Sequence, residues 1–165
     1  TILCAIRELG ITDVEAVKKG FLNVVQLTGL MGRWQILCNQ PLIVCDTGHN
    51  VGGWKYLSKQ IIHQECHQKH IVFGMVDDKD IDSVMELLPK DAIYYWSQAT
   101  THRAIPSQVV AQKGLAHGLV GRVYDSVESA YMAALAIAVP NDFVFIGGSS
   151  YIVSDLLACL ATPKE

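Results

Sequence analysis

The sequence predicts an α/β fold: a mostly parallel, doubly wound sheet of about six strands, helices on both faces and one antiparallel edge strand. Three observations carry this reading. Short apolar runs recur every ~20–30 residues with helical periodicity between them, the pattern of βα units. The first two runs, 34–38 and 42–45, are separated only by Asn39-Gln40-Pro41. That is too short for a crossover, so this pair is antiparallel. Half of the 165 residues are apolar and 18% are charged, which suits a globular chain with a core and not a disordered one.

Taken in order, 1–10 and 13–27 read as helices joined at Gly10-Ile11-Thr12. Asp13 is placed as an N-cap, with Ala16, Val17, Phe21, Val24 and Val25 on one face. After Thr28-Gly29-Leu30 the strand–helix alternation begins. The two strands of the tight pair are followed by a helix over 53–63 with Trp54, Leu57, Ile61 and Ile62 inward. A strand over 70–75 precedes a helix over 81–88 that Pro89 closes. A strand over 92–96 leads to a helix over 106–117 with proline in its first turn. A short strand over 122–124, an alanine-rich helix over 127–139, a strand over 142–146 and a helix over 151–160 complete the pattern. No internal repeat or low-complexity segment interrupts it.

Composition excludes several functions. A net charge of −3 argues against a nucleic-acid surface, which needs clustered Lys and Arg. No apolar run approaches the ~20 residues of a membrane span, and the N-terminus lacks the layout of a secretion signal. Five cysteines, an odd number with no CxxC pair, point to the cytoplasm and away from a disulfide framework. His63, His67, and Cys66 or His70 have zinc-like spacing. The simpler reading is the polar end of a helix before a strand, because a closed site would freeze this short connector.

In such a sheet, ligands bind outside the carboxyl ends of the strands. The segments there are 46–53, 74–80, 97–106, 125–126 and 147–151. Asp46 ends its strand, where a carboxylate can accept from ribose hydroxyls. Arg33 offers a fork suited to phosphate. Gly147-Gly148-Ser149-Ser150 lies between strand and helix, where backbone N–H groups and hydroxyls favour an anion. Each has a structural alternative: Asp46 as a helix cap, Arg33 as a surface ion pair, the glycines as close-packing positions. The chain has no G-x-x-x-x-G-K-[ST] loop, and no G-x-G-x-x-G follows its first strand. Asp46, His49 and Ser149 occur in the order of one protease class, but Asp46 and His49 share a single turn and no nucleophile elbow surrounds Ser149.

Together, Gly32-Arg33-Trp34-Gln35, Asp46-x-x-His49-Asn50, Asp78-Lys79-Asp80, Arg103-Ala104 and Gly148-Ser149-Ser150-Tyr151 form an ordered set. The set resembles the C-terminal domain of Mur-type ligases, within them the folate branch of folylpolyglutamate and dihydrofolate synthases. Gly48 stands where that family usually has alanine, and Val51-Gly52 where a proline commonly follows His-Asn. The resemblance implies a Rossmann-like C-terminal domain over 31–165. It implies that residues 1–30 are a helical segment from the end of a central ATPase domain, which carries the P-loop and the magnesium ligands. It implies an ATP-dependent amide ligase in which ATP phosphorylates a folate or pteroate carboxylate and the amino group of L-glutamate attacks the acyl phosphate. In this scheme Arg33 and Asp46 hold ATP, and His49 and Ser149 act on glutamate and the reacting centre. Asn50, Asp78 and Lys79 border the same substrate cleft. The protein is expected to be a monomer, inactive as this chain alone, and Asp46→Ala or Arg33→Ala is expected to change stability little. The contrasting reading is a stand-alone nucleotide- or partner-binding module without catalysis.

Overall fold

The structure, a computed structural model, describes residues 2–77 and 80–161. It divides into two compact units, Thr1–Met31 and Gly32–Glu165. The first holds α1 (Ile2–Glu8), α2 (Val14–Leu22) and α3 (Val24–Thr28). Asp13 caps α2 as expected, accepting from Ala16 N at 2.9 Å. The single helix expected over 13–27 is instead broken at Asn23, whose side-chain amide donates to the Lys19 carbonyl at 2.8 Å. An asparagine that competes for a helix carbonyl favours a cap over a helix interior.

Among the described residues the second unit forms a six-stranded sheet in the order β1-β2-β6-β3-β4-β5. Its strands are β1 (Gln35–Asn39), β2 (Leu42–Asp46), β3 (Lys69–Phe73), β4 (Ala92–Trp96), β5 (Gly121–Val123) and β6 (Phe143–Gly147). Only the β1–β2 pair is antiparallel among these strands, and β2–β6–β3–β4–β5 run parallel. The Gln40–Pro41 peptide in the β1–β2 turn is cis.

Strand residues alternate between two cores. Val44, Ile71, Phe73, Tyr94, Trp96, Phe143 and Phe145 pack on one face against α4 (Val51–Ile62), α5 (Ile81–Met85) and α6 (Ser107–Ala116). Ile43, Cys45, Val72, Tyr95, Val144 and Ile146 pack on the other against α7 (Val127–Leu135) and α8 (Ser150–Ala161). This period of two is what strands buried on both faces require. The buried stripe of α4 is Trp54, Leu57, Ser58 and Ile61. Ile62, expected inward, is 48% exposed, because one residue beyond Ile61 it has turned by about 100° off that stripe.

Two helices are shorter than expected. The segment 86–88 is turn, so α5 stops at Met85. Helix α7 stops at Leu135, and a turn follows in which the Asp142 carboxylate captures the Val139 N–H at 2.9 Å.

The topology positions the site. The connections leaving β2 and β3 run to helices on one face, whereas the connection leaving β6, which lies between them, runs to α8 on the other. The carboxyl ends of these three strands therefore form a switch point, the place in an open α/β sheet where ligands bind.

Candidate functional site

At this edge two segments build one rigid unit. Gly32, before β1, has φ +69° and is buried. A Cβ there would sit 2.6 Å from Thr47 Cγ2, so only glycine fits both the turn and the approach. The Gly32 N–H donates to Gln35 Oε1 at 2.8 Å. Its carbonyl accepts from Thr47 N at 2.9 Å and Thr47 Oγ1 at 3.0 Å. Trp34 follows with φ +41°, uncommon for a residue with a side chain. Asp46 holds it there, since Oδ2 accepts from Trp34 N at 2.6 Å while Oδ1 accepts from Gly48 N at 2.7 Å. The Trp34 ring stacks on Phe143 at 6.2 Å.

The loop after β2 is anchored from below. The buried Trp54 donates its indole N–H to the Gly48 carbonyl at 3.2 Å. Gly48 lies outside the positive-φ region, so turning does not require a glycine there, and room for a Cβ depends on the end of the Leu57 side chain giving way. An added Cβ would meet Leu57 Cδ2 at 2.9 Å and Asp46 Oδ1 at 3.2 Å. His49 Nδ1 lies 3.0 Å from the Thr47 carbonyl. A carbonyl only accepts, so Nδ1 carries the proton and Nε2 is the nitrogen left to act. Asn50 caps α4 by accepting from Gly53 N at 2.8 Å through Oδ1, which leaves its amide nitrogen as the donor.

Arg33, Asp46, His49 and Asn50 line one cavity of about 260 Å³, with Gly48, Gly53 and Leu57 as further walls. Tyr56 and Gln60, one helical turn apart on α4, complete its rim. Four residues proposed from sequence are thus brought together, and the guanidinium of Arg33 donates to Thr47 Oγ1.

The remaining residues lie elsewhere. Ser149 is buried and does not line this cavity. Its hydroxyl accepts from Ile152 N at 3.3 Å and so caps the start of α8. The glycines before it are crowded: at Gly148, φ +106°, a Cβ would lie 2.3 Å from the Gly74 carbonyl oxygen, and at Gly147 2.7 Å from that of Asp46. The close-packing role therefore holds for both. Asp78 and Lys79 lie outside the described residues. Asp80 caps α5, accepting from Ser83 N at 3.1 Å and Ser83 Oγ at 2.6 Å. Those bonds lower its pKa. Arg103 is tied to the loop after β3, with Asp77 N donating to its carbonyl at 3.0 Å and Val76 bridging Ala104.

Sequence reading missed Tyr56 and Gln60 at the cavity, Thr47 behind Arg33, and a buried polar cluster at the opposite end of the sheet. There His70 Nε2 faces Asp142 Oδ2 at 3.2 Å and His70 Nδ1 faces the Tyr95 hydroxyl at 2.9 Å. The zinc-like residues are used otherwise, His63 bonding the Lys59 carbonyl and His67 the Asp142 carboxylate. Among the described residues no disulfide joins any of the five cysteines.

Comparison with known proteins places this geometry in context. The family described as Mur ligase, glutamate ligase domain, matches residues 32–150. The dihydrofolate synthase/folylpolyglutamate synthase of Escherichia coli (strain K12) is 30% identical over 95% of this chain and 36% of its own length. The solved structure of E. coli FolC in complex with DHPP and ADP superposes with a TM-score of 0.71 at 28% identity, covering 79% of this chain and 31% of that one. A bifunctional folylpolyglutamate synthase/dihydrofolate synthase with Mn, AMPPNP and L-glutamate bound gives a TM-score of 0.69 at 27% identity, covering 81% and 32%. The chain spans about a third of the length of the curated relatives it matches.

Proposed function

The chain belongs to the Mur ligase family, as a glutamate ligase domain, and on that premise we propose that it is the C-terminal part of an ATP-dependent ligase joining L-glutamate to a folate or pteroate carboxylate. In this reading residues 1–30 close a central ATPase domain and residues 31–165 carry the glutamate side of the cleft. The enzyme works in the cytoplasm as a monomer. The observation that supports it most is the convergence of Arg33, Asp46, His49 and Asn50 on one cavity at the carboxyl end of β2, alongside relatives that bind ADP, AMPPNP and L-glutamate.

The reaction draws on several groups of this domain. Arg33 supplies a cationic fork for the nucleotide phosphates. The Asp46 carboxylate uses one lone pair on each oxygen for the loop and keeps outward lone pairs for ribose hydroxyls. His49, with Nδ1 committed to the Thr47 carbonyl, presents Nε2. When neutral, Nε2 takes a proton from the glutamate ammonium so that the amine can attack the acyl phosphate; when protonated, it holds a glutamate carboxylate. The new C–N bond forms as the C–O bond to phosphate breaks, and inorganic phosphate leaves. Ser149, with the first turn of α8 that it caps, is assigned to the glutamate and acyl-oxygen side. Asn50, Asp78 and Lys79 are assigned to the border of the same cleft. Among the described residues no group of three or more His, Cys, Asp or Glu side chains can hold a metal. Resemblance to the family assigns magnesium to the ATPase part, and no step here runs through it.

The test is paired kinetics in the full-length enzyme. Arg33→Ala should raise KM for ATP about tenfold or more, and His49→Ala should depress kcat or raise KM for glutamate with ATP binding nearly intact. Loss of ATP binding on His49→Ala with unchanged glutamate kinetics would reverse these roles. Nucleotide binding with no ligase activity under any folate or pteroate acceptor would favour a binding module.

A further inference from the structure

Arg33 stands between two fixed neighbours. Gly32 has its N–H on Gln35 and its carbonyl on Thr47, and Trp34 has its N–H on Asp46. The backbone of Arg33 is thereby set, but its side chain is exposed, and an exposed arginine samples many rotamers. Among the described residues one side-chain contact restrains it. Its Nη1 donates to Thr47 Oγ1, and that same hydroxyl donates onward to the Gly32 carbonyl at 3.0 Å. The relay is directional, because a hydroxyl that gives its proton to a carbonyl turns a lone pair towards the guanidinium. The Thr47 methyl group fills the space that a side chain at residue 32 would need, 2.6 Å from the ideal Cβ position. Thr47 thus fixes the Arg33 head through its hydroxyl and the loop through its methyl and backbone.

We propose that Thr47 is a positioning residue of the nucleotide subsite, acting through Arg33: it pins one nitrogen of the guanidinium and leaves the rest of the fork aimed into the cavity lined by Asp46 and His49. This rests on the assignment of Arg33 to nucleotide phosphate. A pre-set fork binds without first losing its rotamer freedom, so the benefit falls on nucleotide affinity and not on the chemistry of glutamate.

The experiment uses the full-length enzyme with ATP and glutamate varied separately. Thr47→Val removes the hydroxyl and keeps the shape, and Thr47 N, which still donates to the Gly32 carbonyl, preserves the loop. It should raise KM for ATP by roughly tenfold, with KM for glutamate and the melting temperature nearly unchanged. Thr47→Ser, which keeps the hydroxyl, should restore KM for ATP. The double variant Arg33→Ala/Thr47→Val should bind ATP no worse than Arg33→Ala alone. If Arg33→Ala weakens ATP binding but Thr47→Val does not, the positioning role is wrong. Additive losses, or a failure of Thr47→Ser to restore affinity, would also overturn it. If Arg33→Ala itself leaves KM for ATP unchanged, the nucleotide assignment falls first and takes this inference with it.

Discussion

Replacing Asp46 by alanine measures what its carboxylate contributes to the stability of this edge. Its two oxygens accept from Trp34 N at 2.6 Å and Gly48 N at 2.7 Å. Hydrogen bonds to a charged group contribute about 1.5–3 kcal/mol each. The carboxylate is half-buried, so the lower end applies to both, about 3 kcal/mol together. The loss also releases Trp34 from φ +41°, returning up to about 1 kcal/mol of strain. The net cost is about 2–3 kcal/mol, or roughly 6–12 °C in melting temperature for a domain of this size. Thermal and urea unfolding of the 165-residue chain, followed by far-ultraviolet circular dichroism, measure it directly. Asp46→Asn, which keeps one accepting oxygen, should cost about half as much. A shift under about 2 °C for Asp46→Ala would show that the two bonds hold nothing. The structure therefore replaces the sequence-based expectation that this substitution is silent in stability.

Three further outcomes follow from the packing. Gly148→Ala should destabilise the chain by about 3 kcal/mol or more, since its Cβ would lie 2.3 Å from the Gly74 carbonyl oxygen at φ +106°; soluble yield and urea midpoint report it. The buried Asp142 has a depressed pKa: burial pushes it up, but hydrogen bonds from Val139 N, His70 and His67 outweigh burial. A carboxylate with a depressed folded pKa contributes stability above its unfolded value, about 3.9. That contribution disappears as pH falls from there through the folded value, so urea midpoints should drop on acidification and Asp142→Asn should flatten the drop. Burial, with the Asp46 carboxylate beside it, pushes the Cys45 thiol up to about 12. Maleimide at pH 8 should therefore modify the exposed Cys4 in the native chain and reach Cys45 only after unfolding.

The sheet was legible because its rules are local. Short apolar runs, a three-residue turn between the first strands and proline before α6 each act within a few residues. Helix ends were less legible where a distant or competing group decides them, as when Asp142 takes Val139 N–H or Asn23 takes a helix carbonyl. The site was read in part for the same reason. Residue types at the sheet edge named Arg33, Asp46, His49 and Asn50, and the cavity unites them. Thr47 escaped because its hydroxyl serves residues 14 and 15 positions away, a pairing that only the β1–β2 register creates. Ser149 carries the polar side chain expected at an anion site, yet burial turns its hydroxyl to the α8 backbone. The His70–Asp142–Tyr95 cluster joins residues up to 72 positions apart, and its histidine sits in an apolar strand that reads as plain core.

The most direct test of the glutamate-ligase reading is phosphate release from ATP, measured side by side for the full-length enzyme and for residues 1–165. With dihydropteroate or tetrahydrofolate as acceptor, the full-length enzyme should release phosphate only when L-glutamate is added, one phosphate per amide bond formed. Residues 1–165 should fold and release none, because in the proposed reading the Arg33–Asp46–His49 cavity is one wall of the cleft, and the chain carries no G-x-x-x-x-G-K-[ST] loop. Glutamate-dependent turnover by residues 1–165 alone, or phosphate release by the full-length enzyme with no amide product, would contradict the reading.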